Sequence, residues 1–186
     1  PTADQEWRIA VKKVEGGKFS SFANEYLAAG DVLEVMPPEG NFYSEVKEGQ
    51  NKKYMAFAAG SGITPIISIL KTVLDVEKDS TFTLFYGNRK ASNIIFKEEL
   101  DALNEQYGDR FRLYYVMSQD DSFGDFQGRI SAEKCEEFNQ SCGDLYAADE
   151  YFLCGPEAMI FGMKDKLEAS QVAKEKIHFE LFTTPV

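Results

Sequence analysis

Three short runs in the chain combine glycine, hydroxyl, cation and thiol at spacings that suit nucleotide chemistry. The first is Gly60-Ser61-Gly62-Ile63-Thr64-Pro65. Glycines so spaced permit a tight turn, and a phosphate can then approach backbone N–H groups at a helix start. Pro65 suits a first helical turn, where its missing N–H costs nothing. The run is not GxGxxG, because proline stands in place of the third glycine. Taken alone, it fits a plain strand-to-helix turn as well as a phosphate cradle. The second run is Tyr86-Gly87-Asn88-Arg89. At such an edge an acid would hold the free 2′-hydroxyl of NAD, whereas a base would accept the 2′-phosphate of NADP. The chain offers Asn88, Arg89 and Lys90, with no acid until Glu98. Arg129, in Gly128-Arg129-Ile130, is a second candidate for the same phosphate; solvated loop arginines are the plain alternative. The third run is Cys154-Gly155-Pro156-Glu157. A thiol there is a partly ionised nucleophile at a helix start, a polarisable group beside a flat ring, or a buried structural cysteine. The lone His178 reads as structural, and no Ser-His-acid set or HExxH metal site can be assembled around it. Cys135 and Cys142 have no evident role.

The elements that must position these runs follow from periodicity. Met55–Ala59, Phe82–Tyr86, Arg110–Met117, Tyr151–Cys154 and Ile177–Phe182 read as strands. Helices are expected at Pro65–Leu74, over the stretch carrying Phe96, Leu100, Leu103 and Tyr107, from near Ser131, and at Pro156–Ala169. Strands alternating with helices imply an α/β fold, a five-stranded parallel doubly wound sheet covered on both faces. The first fifty residues differ. Trp7, Ile9 and Val11 alternate with polar neighbours, Asp31–Met36 is a second strand candidate, and Pro37-Pro38-Glu39-Gly40 is a turn. Ser20–Leu27 suits a helix. Two or three strands make no stable sheet alone, so this part reads as half of a larger unit. The polar stretch Glu45–Lys53 is the expected linker, placing the boundary between domains 1–48 and 49–186.

Composition narrows the function. Acidic residues outnumber Lys and Arg by 31 to 20, a net charge of −11, which argues against nucleic acid as a partner. At 44% hydrophobic and 13% aromatic residues the chain is no disordered segment. Three cysteines without a CxxC pair favour a reducing, cytoplasmic setting. The uncharged stretch Tyr54–Leu70 is shorter than the roughly 20 residues a bilayer requires, and glycines and a proline interrupt it. No membrane partner is expected.

Taken together, GSGITP, YGNR, CGPEAM (Cys154–Met159) and HFELF (His178–Phe182) occur in the order and spacing of the ferredoxin–NADP reductase-like flavoproteins. The chain resembles that family over essentially its whole length. Its front part, Val14–Ser21 and Glu34–Phe42, is similar to the second half of the family's FAD-binding barrel, and the resemblance implies a partial antiparallel β-barrel there. Two departures stand out: the family's Arg-x-Tyr-Ser flavin motif is absent, and so is a CxxxxCxxC…C ferredoxin segment. The chain therefore reads as a fragment, with a 2Fe-2S cluster expected only in a further domain. The resemblance implies hydride transfer from NADPH to FAD, then single electrons to an iron–sulfur centre and an oxygenase component, in a phenylacetate (aromatic) catabolic setting. It also implies residue roles. Gly60, Gly62, Thr64 and Pro65 would cradle the pyrophosphate and nicotinamide side, with Ser61, Gly155 and Pro156 also contacting cofactor. Asn88, Arg89 and Arg129 would hold the 2′-phosphate, with Ser118 near the adenosine. Cys154 and Glu180 would be catalytic, Phe182 would cover the flavin, and Gly17, Phe19, Ser20 and Ser21 would contact FAD phosphates. No metal ligands are expected in this chain. Two alternatives remain: a flavohaemoprotein-like NAD(P)H reductase with another acceptor, and a non-catalytic NADP(H)-binding module.

Overall fold

Lys53–Ala59 (β1) is apolar from Tyr54 to Ala59, and its five central residues are buried. That continuous pattern marks a strand covered on both faces. The computed structural model describes residues 8–37 and 39–182; Trp7 and Pro38, named above, and the residues after Phe182 lie outside the described residues. One helix, α1 (Lys18–Glu25), precedes β1. After β1 the chain runs through α2 (Ile63–Val76), β2 (Thr81–Asn88), α3 (Lys97–Tyr107), β3 (Phe111–Met117), β4 (Phe126–Gln127), α4 (Cys135–Cys142), β5 (Glu150–Gly155), α5 (Glu157–Ala169) and β6 (Ile177–Leu181).

The strands form one six-stranded sheet in the order β4-β3-β2-β1-β5-β6, and each ladder is parallel. Alternate residues feed two cores. Tyr54, Ala56, Ala58, Leu84, Tyr86, Phe152 and Cys154 pack with α2 and Leu100 of α3. Met55, Phe57, Phe85, Val116 and Leu153 pack with Phe138 of α4 and Ile160, Met163 and Leu167 of α5. The expected parallel α/β architecture is present, with one correction: the sheet has six strands, not five. The extra strand, β4, is two residues long and pairs Phe126 with Val116 and Gln127 with Met117. A pair so short has no periodicity to read. The uncharged stretch Tyr54–Leu70 is β1, a turn and part of α2, and no described helix is long and apolar enough to cross a membrane.

The front differs from the rest. Among the described residues no strand precedes β1, and the expected partial β-barrel is not shown there. The described part of the Trp7–Val11 pattern and the Asp31–Met36 pattern carry no ladder. A strand needs a neighbour for its N–H and C=O groups. Without one, Val32, Val35 and Met36 remain 92%, 79% and 87% exposed. The helix expected at Ser20–Leu27 is present as α1, and none of its residues is buried. The expected linker is docked against the start of the sheet. The Lys47 N–H donates to the Glu77 carboxylate at 3.2 Å and the Lys52 N–H to Ser80 Oγ at 2.9 Å. Glu77 is fully buried and also accepts from the Tyr54 and Ser80 hydroxyls. That spreads its charge over several donors.

Candidate functional site

Successive connections leave β1 towards β2 on one side, and β5 lies on the other. The carboxyl ends of β1 and β5 therefore flank the point where strand order reverses, the usual ligand crevice of an open α/β sheet. Gly60-Ser61-Gly62 follows β1, and Gly155-Pro156 closes β5. Gly60 has φ +55°, a left-handed conformation that favours glycine. Gly62 is required by contact: a Cβ there would lie 2.1 Å from the Cys154 carbonyl oxygen. A Cβ on Gly155 would lie 3.0 Å from that of Ala59. The two turns are pressed together, and a ligand reaching one reaches the other. Pro65 falls in the first turn of α2, as expected.

Cys154 is fully buried. Burial, with a smaller contribution from the Glu180 charge, pushes its thiol up to about 12. This corrects the partly ionised reading: a thiol in the core keeps its proton at neutral pH. Cys135 and Cys142 bracket α4 and are buried too. His178 stacks on Phe152 at 4.9 Å and pairs with Glu150 at 2.9 Å, in keeping with a structural role. Among the described residues no group of His, Cys, Asp or Glu side chains is placed to hold a metal.

The second edge is built by backbone. Asn88 pairs with Met117, Ser118 N–H donates to the Asn88 carbonyl at 3.0 Å, and Gly128 N–H donates to the Met117 carbonyl at 2.7 Å. A Cβ on Gly87 would touch Ile130 at 3.2 Å. Asn88, Arg89, Ser118 and the Gly128–Ile130 segment thus share one end of the sheet. Arg89 and Arg129 are both exposed. Asn88 is only 8% exposed, and neither end of its amide has a hydrogen-bond partner among the described residues. A buried orphan amide beside exposed cations fits a polar ligand better than a plain loop.

A cavity of about 720 Å³ opens beside these turns. Thr64, Pro65, Glu180 and Phe182 line it, together with Phe42 of the front segment and Phe96. Phe42 packs edge-on against Phe152 at 5.5 Å. Cavities of this size suit cofactors. Gly17, Phe19, Ser20 and Ser21, at the start of α1, form none of its wall, and Ser20 Oγ is occupied in accepting the Val14 N–H at 3.1 Å. Two features escaped sequence reasoning. Lys12 Nζ lies 3.3 Å from the position a Gly60 Cβ would take, which sets a cation over the first turn. The Tyr86 hydroxyl donates to the Gly60 carbonyl at 2.9 Å. Both join segments far apart in sequence, so no local pattern announces them.

Comparison with known proteins agrees with this geometry. The family model described as "Oxidoreductase NAD-binding domain" matches residues 57–165. The chain is 40% identical over 181 residues to a component of the 1,2-phenylacetyl-CoA epoxidase of Escherichia coli, covering 97% of this chain and 51% of that protein. It is 30% identical over 184 residues to the ferredoxin reductase component of 3-ketosteroid-9-alpha-monooxygenase of Rhodococcus rhodochrous, covering 99% and 48%. Among solved structures, the CS-b5R domains of human Ncb5or in the NAD+ form superpose with a TM-score of 0.76 at 26% identity, over 91% of this chain and 47% of that one. The chain spans about half the length of the curated relatives it matches. A matched segment that carries both pressed turns and the basic edge places the chain in one group: it belongs to the oxidoreductase NAD-binding domain family.

Proposed function

We propose that the chain is the nucleotide-binding half of an NADPH-dependent flavoprotein reductase that sends electrons to an oxygenase component. The observation that carries this reading is the contact between Gly62 and the Cys154 carbonyl at the strand-order reversal. It makes one crevice of the two glycine turns, with Lys12 above it and Arg89 and Arg129 at its basic edge. Residues 1–48 would belong to the flavin domain and 49–186 to the nucleotide domain.

In this reading Gly60, Ser61 and Gly62 present backbone N–H groups to the pyrophosphate, and Lys12 adds charge attraction. Arg89 and Arg129 take the 2′-phosphate, where a guanidinium can form paired charge-assisted bonds. Asn88 and Ser118 sit beside the adenosine. Thr64, Pro65, Gly155 and Pro156 shape the nicotinamide side, and Glu180 and Phe182 line the cavity where the flavin ring would lie. Cys154, neutral and buried, acts by holding the β5 turn against Gly62 and by offering a compact wall, not by moving a proton. The bound nicotinamide and flavin supply the hydride and electron chemistry; the protein supplies orientation and dryness. An iron–sulfur acceptor and an oxygenase of phenylacetate catabolism are supported by the names of the relatives, one an epoxidase component and one a ferredoxin reductase component. The three free thiols support a cytoplasmic setting.

Calorimetric titration with 2′,5′-ADP, with 5′-AMP as control, tests the reading. At least tenfold tighter binding of 2′,5′-ADP is expected. Equal binding would move the donor to NADH, a second reading that the NAD+ form of the human neighbour favours. Binding of neither would remove the nucleotide assignment.

A further inference from the structure

The Tyr86 hydroxyl sits where β2 meets the first glycine turn. It donates to the Gly60 carbonyl at 2.9 Å. Tyr86 is fully buried. Burial pushes its pKa up to about 12, so the proton stays on the oxygen at neutral pH. A phenol has one proton to donate, and here it goes to Gly60.

The consequence follows from peptide geometry. The Gly60 carbonyl and the Ser61 N–H belong to one planar trans unit and point in opposite directions. Anchoring the carbonyl on Tyr86 therefore aims the Ser61 N–H away from β2. The Gly60 carbonyl also accepts the Ile63 N–H within the turn; the Tyr86 hydroxyl adds a bond from outside it, at a glycine with φ +55° whose backbone has little restraint of its own.

We propose that Tyr86 is a positioning residue for the bound nucleotide: its hydroxyl locks the Gly60–Ser61 peptide so that the Ser61 N–H is presented to the pyrophosphate. This rests on the nucleotide reading above. It makes β2 contribute twice, through Arg89 at the basic edge and through Tyr86 beneath the first turn.

Tyr54 is an internal control. It is equally buried, on the same face of the sheet, and its hydroxyl is also bonded, to Glu77, but at the opposite end of the strands. The test compares Tyr86→Phe with Tyr54→Phe in this chain by two readouts: amide hydrogen exchange at Ser61–Ile63 without ligand, and calorimetry with NADP+ and 2′,5′-ADP. Tyr86→Phe should speed exchange at those amides about tenfold and weaken NADP+ about five- to tenfold, the scale of one hydrogen bond. It should weaken 2′,5′-ADP, which lacks the nicotinamide-side phosphate, less than NADP+. Tyr54→Phe should change neither the local exchange nor either affinity. Unchanged exchange and affinity in Tyr86→Phe, or equal effects from both variants, would overturn the proposal while leaving the nucleotide reading intact. No binding to the unaltered chain would instead sink the reading itself, and the proposal with it. Where Tyr86→Phe lowers overall stability, the ratio of NADP+ loss to 2′,5′-ADP loss still decides, because global unfolding weakens both equally.

Discussion

The two parts of the chain on either side of β1 have similar raw materials and opposite outcomes. Residues 53–182 bury Phe57, Leu84, Val116 and Leu153 completely in two cores. In the front segment Ile9, Val14, Tyr26, Val32, Val35 and Met36 are all more than 60% exposed. Apolar alternation is present in both. What differs is the supply of neighbours: every strand from β1 onwards finds a parallel partner, and the front patterns find none. Alternation marks a segment's capacity to be a strand, and the ladder is what realises it. The front segment meets the sheet through Phe42 on Phe152, Lys47 on Glu77 and Lys12 over Gly60.

Substitutions can break this contrast. The largest expected effect is at its centre: Phe57→Ala, which removes a fully buried ring stacked on Phe85 at 5.3 Å, should cost about 3–5 kcal/mol by chemical denaturation. Gly62→Ala comes next. Its Cβ would strike backbone and not a flexible side chain, so about 2 kcal/mol of stability should be lost, together with nucleotide binding. A loss under about 0.5 kcal/mol would mean the two turns can separate. Arg89→Ala should leave stability unchanged and weaken 2′,5′-ADP about tenfold without affecting 5′-AMP.

The buried thiols sharpen the contrast through pH. Burial raises Cys154 from 9.0 to about 12 and Cys135 to about 11. The unfolded chain then gives up these protons before the folded one does. Their contribution to stability is whole below the ordinary thiol pKa and falls as pH rises through the alkaline range towards the folded values. Denaturation midpoints should drop above about pH 9, near where free thiols ionise, and drop less in Cys154→Ala. The smallest effect belongs to the front: Val32→Ser should shift stability by less than about 0.5 kcal/mol. A loss comparable to that of a core residue would show that the segment has a partner in solution.

How much of this was written in the sequence differs by element. The β1 run from Tyr54 to Ala59 and the apolar stripe Ile66, Ile69, Leu70, Val73 and Leu74 of α2 were legible because burial on two faces or along one stripe leaves a local period. The turn at Gly60–Pro65 was legible because glycine and proline are local punctuation. β4 was not, since two residues carry no period, and Asp31–Met36 was misleading, since a strand's partner is not encoded in the strand.

The sequence by itself determined the alternation of strand and helix, the positions of the glycine turns and the basic character of the edge at Arg89. Each is a property of residues close together along the chain. The tertiary structure alone decided that Gly62 presses on the Cys154 carbonyl, that Lys12 stands over Gly60, that Tyr86 anchors the Gly60 carbonyl, and that Cys154 is buried and neutral. Each of these joins segments far apart in sequence, or depends on burial that such joining creates. They come into being only when the sheet assembles and brings its strand ends to one crevice.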